Sequence, residues 1–243
     1  MTKSQTVIVG LSGASSSGKT TLAKLITQLL PPENVILIHE DDFFKHDDEV
    51  PIDEKYGIAN WDCPEALDLA SFDEELKLIK LNGTAAISKE LIHNNNVDSI
   101  DKFELDQTLL EKIKQGFANM IPASCKIIIV DGFMMYQDDV LRSKFDVKLL
   151  VRAPYATLKK RRAARPGYQT LESFWVDPPY YFDEFVYNSY KQSHARLFMD
   201  DNVESQNGVR PEFGISLFDN DDATPIERGL EWIFNALQTH FSP

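Results

Sequence analysis

The sequence predicts an α/β fold in which a parallel β-sheet is covered by helices on both faces. Strand and helix patterns alternate along the chain, as they do in folds built from repeated β-α-β units. The run Lys126–Gly132 contains four successive β-branched apolar residues, which is typical of a strand buried on both faces. With 243 residues, 43 % of them hydrophobic and 26 % charged, the chain has the size and composition of a single globular domain spanning 1–243.

Local patterns give the order of the elements. Short apolar runs predict strands over 6–11, 35–39, 126–132, 147–152 and 215–218. Apolar residues at helical spacing predict helices over 21–30, 63–79, 105–120, 153–164, 180–199 and 225–241. Two prolines, Pro31 and Pro32, end the first helix. An insert at about 81–106 and a C-terminal extension at about 203–243 have no predicted role, and residues 220–222 are expected to form a solvated turn.

A glycine-rich motif lies between the first strand and the first helix. Residues 13–20 fit G-x-x-x-x-G-K-[ST], the phosphate-binding P-loop. Its backbone N–H groups at a helix N-terminus form a nest for phosphate oxygens. Lys19 is then expected to reach the β- and γ-phosphates of ATP, and the Thr20 hydroxyl to bind Mg²⁺. The predicted ATP-binding residues of this segment are Gly13, Ala14, Ser15, Ser16, Ser17, Gly18, Lys19, Thr20 and Thr21.

Carboxylates follow two of the predicted strands. Asp41 and Asp42 come after the second strand, and Asp131 ends the third. Ligands of parallel sheets bind at the carboxyl ends of strands, so these side chains are expected beside the P-loop. A phosphoryl acceptor hydroxyl needs a neighbouring carboxylate as base, for which Asp41 is the candidate, and Asp131 stands where an acidic residue contacts Mg²⁺. The alternative is that they cap helices or turns.

Basic residues are concentrated at the end of the predicted helix 153–164. Five cations, Lys159 to Arg162 and Arg165, occur within seven residues, and Pro166 and Gly167 follow. We interpret this segment as a mobile lid whose arginines close over the phosphates and neutralise charge in the transition state. A solvated helix face and a nuclear-localisation patch remain alternatives.

Aromatic residues provide candidates for a site that holds a flat ring. Trp61 precedes Asp62 at the end of a long polar segment, and Tyr168 follows the basic cluster. Aromatic faces stack on planar rings and attract cations, and a carboxylate can accept both hydroxyls of a ribose. Ordinary packing is the alternative for these residues, and it is our interpretation of Trp175 and of 180–182. The five histidines have no metal-ligand spacing.

Charge and cysteine content limit the classes of partner and compartment. The formal net charge of −13 argues against binding of nucleic acid or anionic membranes. No stretch approaches 18 apolar residues, and the first strand begins so early that we expect no signal peptide. Two cysteines without ligand spacing favour the cytoplasm, with the nucleus as an alternative. A monomer and a weak dimer both remain open.

Six segments in order along the chain resemble the nicotinamide riboside kinases, relatives of the uridine kinases among the P-loop nucleoside kinases. The segments are 13–21, 39–45, 60–67, 130–133, 160–165 and 180–183. The resemblance implies the P-loop kinase fold and ATP-dependent phosphorylation of the ribose 5′-hydroxyl of nicotinamide riboside to nicotinamide mononucleotide, in NAD salvage. It leaves nicotinic acid riboside open as a second substrate.

The same resemblance implies roles for individual residues. Asp41 is similar to the catalytic base of the family, and Thr20, Asp41 and Asp131 are similar to its Mg²⁺ neighbours. The remaining implied contacts are Asp62 on the ribose, Trp61 and Tyr168 on the two ring faces, Arg162, Asp42, Phe43, Phe44 and Gln169 on the substrate, and Arg161 and Arg165 on the phosphates of ATP. Many members have Tyr where this chain has Trp61.

Two other functions remain open at this point. A uridine or cytidine kinase would share the P-loop, the base and the lid, and would differ at the ring site, where a neutral pyrimidine needs hydrogen-bond partners. A GTP-binding switch, without kinase activity towards nucleosides, would need the base-recognition motif Asn-Lys-x-Asp and the switch motif Asp-x-x-Gly. The sequence contains neither.

Overall fold

A computed structural model describes residues 5–82 and 103–242, and its centre is a five-stranded sheet. The strands of this sheet are β1 (Thr6–Gly13), β2 (Val35–His39), β5 (Lys126–Gly132), β6 (Val147–Arg152) and β9 (Ile215–Asp219). Their order is β2-β5-β1-β6-β9, and every pairing is parallel. The predicted parallel sheet is therefore confirmed, with all five predicted strands in it.

Helices cover both faces of the sheet, as predicted. They are α1 (Lys19–Leu29), α2 (Leu69–Asn82), α3 (Gln107–Met120), α4 (Asp139–Arg142), α5 (Tyr155–Ala163), α6 (Tyr187–His194) and α7 (Ile226–Phe241). Alternate side chains of β1 point to opposite faces. Val7 and Val9 enter a core with α1, α3 and α7, whereas Ile8 enters a second core with α2 and α6.

Short elements connect the main ones and differ from the prediction in two places. The predicted helix 180–199 contains a π-helical turn, Phe182–Val186, before α6 and ends in a 3₁₀ turn, Ala195–Leu197. The predicted helix 63–79 begins as a separate 3₁₀ turn, Pro64–Ala66, because the chain is extended at Leu67 before α2 starts.

Two small hairpins lie outside the central sheet. One pairs β3 (Ile52–Asp53) with β4 (Ile58–Ala59), within the long polar segment after β2. The other pairs β7 (Tyr168–Gln169) with β8 (Phe174–Trp175), directly after the basic cluster. The sequence did not predict either hairpin, since two-residue strands are too short to show an alternating pattern.

The C-terminal extension is part of the central architecture. Its strand β9 extends the sheet beside β6, and its helix α7 packs on α1 and α3. A 3₁₀ turn, Pro211–Phe213, precedes β9. Most of the insert predicted at 81–106 lies outside the described residues. Between 5 and 82 and between 103 and 242, every helix is too short or too polar to cross a membrane.

Candidate active site

The P-loop connects β1 to α1 at the carboxyl edge of the sheet. Gly18 has a φ of 94°, a left-handed conformation that favours glycine, and it caps α1. The first residue of the helix, Lys19, is almost fully buried, with 9 % of its surface exposed. The N-terminus of α1 thus faces the same space as the Lys19 ammonium group, and both favour an anion there.

Asp131, at the end of β5, contacts the end of the neighbouring strand β2. His39 and Asp131 are partners in the parallel register, and the Nδ1 atom of His39 lies 3.0 Å from Oδ2 of Asp131. Burial by itself would raise the pKa of Asp131, but the hydrogen bond from His39 and the charge of Lys19 hold it below its usual range. Asp131 is therefore a buried carboxylate that stays ionised.

Asp41 lies in a 3₁₀ turn, Glu40–Phe43, that follows β2. Its side chain is exposed to the cleft, while protein surrounds the cleft itself. Desolvation in this enclosed setting raises the pKa of Asp41, and the nearby charge of Lys19 opposes the rise. A carboxylate in such a position is a stronger proton acceptor than a fully solvated one.

One arginine joins three parts of the chain beneath the cleft. The Arg162 guanidinium binds Asp177 through Nε–Oδ2 at 2.6 Å and Nη2–Oδ1 at 3.0 Å. Its Nη1 donates to Oγ of Ser15 at 2.8 Å, and its Nη2 lies 3.5 Å from Oδ2 of Asp62. Burial would lower the pKa of Arg162, but the two carboxylates outweigh it and the pKa is raised. The arginine is therefore a fixed cation.

Aromatic side chains form the walls of the cleft. The rings of Phe44 and Trp61 meet edge to face at 5.7 Å, and the centroids of Trp61 and Trp175 are 6.4 Å apart. The Arg162 guanidinium lies 4.2 Å from the centroid of the Tyr168 ring, and the Arg165 guanidinium lies 5.3 Å from it. A planar group in this cleft would contact several aromatic faces.

The structure brings most of the predicted site residues to this one cavity. Its lining includes Ser15, Ser16, Lys19, Thr20, Asp41, Phe44, Trp61, Asp62, Arg162, Arg165, Tyr168 and Gln169. Asp42 and Phe43 do not line it, and the ring of Phe43 instead packs on Phe72 in the core at 5.0 Å. Asp131 lies below the floor, next to Thr20.

A second cavity adjoins the first on the other side of the P-loop. Its lining combines Gly18 and Thr21 with Arg161, Arg165 and the turn after β9. Asn220 of that turn donates to the carbonyl of Ser17 at 2.7 Å. Asp221 and Asp222 are exposed, as expected for a solvated turn, and the turn also forms a wall beside the phosphate-binding loop.

The basic cluster contacts this wall. Lys160 binds Asp222 at 2.7 Å, and Arg161 binds the same carboxylate at 3.2 Å. Arg165 lines both cavities, whereas Arg162 lines the first and Arg161 the second. The movement of the basic cluster as a lid over the phosphates stays a prediction.

Sequence reasoning missed several residues of the site. Trp175 lies in the β7–β8 hairpin, and Asp177 follows it. The sequence predicts only ordinary packing for Trp175 and no role for Asp177. In the structure Trp175 lines the first cavity, and its Nε1 donates to Oδ1 of Asp177 at 2.9 Å. The only available signal was a lone aspartate 15 residues after Arg162, which carries no pattern of its own.

Comparisons with known proteins agree with this geometry. The sequence profile of the phosphoribulokinase/uridine kinase family matches residues 8–162. A nicotinamide riboside kinase of Saccharomyces cerevisiae is 53 % identical over 234 residues, which is 96 % of each chain. The nicotinamide riboside kinase of Eremothecium gossypii is 49 % identical over 96 % of this chain and 92 % of its own. The nicotinamide riboside kinase of Schizosaccharomyces pombe is 39 % identical over 96 % of this chain and 99 % of its own.

Proposed function

The chain belongs to the phosphoribulokinase/uridine kinase family, and we propose that it transfers the γ-phosphate of ATP to the ribose 5′-hydroxyl of nicotinamide riboside. The products are nicotinamide mononucleotide and ADP. One observation carries the proposal: a single cavity contains the P-loop lysine, a carboxylate in position to act as a base, a buried Asp62–Arg162 pair and several aromatic walls. Each of these groups matches one part of the two substrates.

The phosphates of ATP fit the P-loop side of the site. Lys19 and the N-terminus of α1 supply positive charge for the β- and γ-phosphates. The second cavity, between the P-loop and the turn at Asn220, has room for the rest of the nucleotide. Arg165 lines both cavities and Arg161 lines the second, and both are suited to neutralise charge on the phosphates.

Asp41 is proposed as the general base. It accepts the proton of the 5′-hydroxyl as the oxygen forms its bond to the γ-phosphorus. The bond between that phosphorus and the bridging oxygen of ADP breaks, and the electron pair leaves with ADP. The raised pKa of Asp41 favours proton acceptance, and Lys19 limits the rise so that the carboxylate remains available.

The residues present fit a magnesium ion. Oδ1 of Asp131 is buried and has no hydrogen-bond partner within 5–82 and 103–242, so this oxygen is available as a ligand. Mg²⁺ is usually held by one or two carboxylates together with substrate phosphates and water, so a large protein cage is not required. We propose that Thr20, Asp131 and Asp41 hold it; when bound, the ion neutralises charge on the phosphates.

The ring and the ribose fit the other half of the cavity. Asp62 accepts hydrogen bonds from the ribose hydroxyls, and Arg162 keeps Asp62 in place. The nicotinamide ring of the riboside carries a positive charge, and aromatic faces attract cations. We therefore propose that Trp61, Tyr168 and Trp175 enclose the ring. A neutral pyrimidine would be attracted less strongly to these aromatic faces.

The experiment measures ADP release from Mg-ATP with nicotinamide riboside, nicotinic acid riboside, uridine and cytidine in parallel. Asp41→Ala serves as the blank. We expect the two pyridine ribosides to be preferred strongly over the two pyrimidine nucleosides. Preference for uridine or cytidine would contradict the proposed ring site, and GTP binding without transfer to any nucleoside would contradict kinase activity altogether.

A further inference from the structure

Glu40 has a fully buried carboxyl group and stands directly before the proposed base. None of its surface is exposed, and it does not line the cavity. Its Oε2 accepts hydrogen bonds from two successive backbone N–H groups, those of Phe133 at 2.7 Å and Met134 at 2.8 Å. One side chain at the end of β2 thus holds the loop that follows β5.

The neighbouring glycine shows how closely the two segments approach. A Cβ atom on Gly132 would lie 2.6 Å from Oε2 of Glu40 and 2.7 Å from its Cβ, and side chains essentially never tolerate such contacts. Gly132 immediately follows Asp131. The close contact therefore exists only because residue 132 has no side chain, and it places the carboxylate of Glu40 against the turn that carries the metal-binding candidate.

Glu40 also belongs to a row of cross-strand contacts. The preceding residue, His39, is the register partner of Asp131 and binds its side chain at 3.0 Å. The following residue is Asp41. His39, at the end of β2, thus binds the Asp131 side chain. Glu40, the next residue, binds the loop after Asp131, and Asp41 is the proposed base.

We propose that Glu40 is a positioning residue that fixes the Asp41 turn relative to the Asp131 loop, and so sets the distance between the base and the metal-binding carboxylate. This inference rests on the proposed kinase function. Glu40 touches neither substrate, so its effect is exerted through two backbone N–H groups.

The test compares Glu40→Ala with Glu40→Gln in the full chain. Glutamine keeps an acceptor oxygen at the same reach, whereas alanine removes it. We expect Glu40→Ala to lower kcat roughly 10- to 100-fold, the usual range for residues that orient metal ligands. KM for ATP should change by less than about twofold, because the P-loop is untouched. Glu40→Gln should recover most of kcat, and Glu231→Ala, an exposed site on α7, is the matched control.

Three further measurements separate positioning from folding. Thermal unfolding shows whether each variant is folded at the assay temperature. The Mg²⁺ concentration for half-maximal rate should rise in Glu40→Ala and return towards normal in Glu40→Gln. Gly132→Ala should displace Glu40 and give a similar loss, and the double variant should lose less than the product of the two effects.

The outcomes distinguish this inference from the proposed function. Wild-type turnover tests the kinase proposal by itself, and the variants are compared on whichever nucleoside the wild type accepts. A folded Glu40→Ala with normal kcat and normal Mg²⁺ dependence would overturn the positioning role. So would an equal loss in Glu40→Ala and Glu40→Gln, because the acceptor oxygen would then be irrelevant.

Discussion

Arg162 and Asp177 form a paired ion contact, with Nε–Oδ2 at 2.6 Å and Nη2–Oδ1 at 3.0 Å, under the cavity in which the ribose is proposed to bind. The same arginine reaches Asp62 and the P-loop hydroxyl of Ser15. Asp177 therefore orients a cation that links Asp62, the proposed ribose-binding carboxylate, to the P-loop. A bidentate pair of this kind fixes direction as well as charge.

Replacing Asp177 tests this link. Asp177→Ala leaves the buried Arg162 with its longer contact to Asp62 and its hydrogen bond to Ser15, so we expect the nucleoside KM to rise and kcat to fall. Removing one partner of a buried pair typically costs about 3–5 kcal/mol of stability, so the melting temperature should drop as well. Steady-state kinetics and thermal unfolding of Asp177→Ala and Asp177→Asn measure both effects. Unchanged nucleoside kinetics in a folded Asp177→Ala would show that Arg162 does not need this partner.

Asp41 is expected to control turnover more than binding. Asp41→Ala should lower kcat by about 10²–10⁴-fold, the usual contribution of a positioned general base. KM for ATP should stay close to that of the wild type, since the P-loop is intact. Asp48→Ala, an exposed aspartate further along the same segment, is the control. Near-normal turnover of Asp41→Ala would exclude it as the base.

Trp61 is expected to act mainly on the nucleoside. Stacking of an aromatic side chain on a base contributes about 1–3 kcal/mol, so Trp61→Ala should raise the nucleoside KM by roughly 5- to 150-fold. KM for ATP should change far less, because Trp61 lies on the nucleoside side of the cavity. Trp232→Ala, whose indole stacks on Phe218 away from the cleft, controls for loss of a large aromatic residue. Equal rises in both KM values would make Trp61 a purely structural residue.

Short apolar runs were sufficient to predict the sheet and its five strands, because each run is local and long enough to recognise. The P-loop and Asp41 were likewise predicted from short segments. Asp177 and Trp175 were missed because their roles depend on a hairpin with two-residue strands and on contacts with Arg162. The spacing of residues along the sequence does not predict such long-range contacts.

The position of the turn at 220–222 could not be predicted from its residues either. The residues 220–222 resemble any polar surface turn, and only the pairing of β9 with β6 brings them to the P-loop. Glu40 was similarly hidden within an acidic run, Glu40-Asp41-Asp42, although its side chain points away from the cleft. In both cases the long-range packing of the strands, rather than the local residue pattern, decides what the side chain does.

The turn at Asn220 leads to a prediction about ATP. Asp222 pairs with Lys160 and Arg161, and Asn220 binds the carbonyl of Ser17 in the P-loop. Asn220→Ala should therefore raise KM for ATP more than KM for the nucleoside, because only the second cavity is disturbed. Parallel titrations of ATP and nucleoside measure the two values. A selective effect on the nucleoside would contradict the assignment of the second cavity to ATP.

His194 predicts how stability depends on pH. This histidine is fully buried in α6, and burial lowers its pKa to about 4 from the usual value near 6.5. Its Nδ1 lies 2.8 Å from Oγ of Ser193, whereas Nε2 has no hydrogen-bond partner in the two described ranges. The folded state therefore excludes the proton that the unfolded chain binds.

The sign follows from that difference in proton binding. Well above pH 6.5 neither state holds the proton and the full stability is present. As the pH falls from 6.5 towards 4, protonation of His194 favours the unfolded chain. The loss between pH 8 and pH 5 should be about 2 kcal/mol, at about 1.36 kcal/mol per pH unit below the unfolded-state pKa of 6.5. Urea unfolding at both pH values measures it. His194→Gln should lose less unfolding free energy than the wild type between the two pH values. His46→Gln, at an exposed position, should lose as much as the wild type. Equal losses in all three proteins would mean that other groups cause the acid sensitivity.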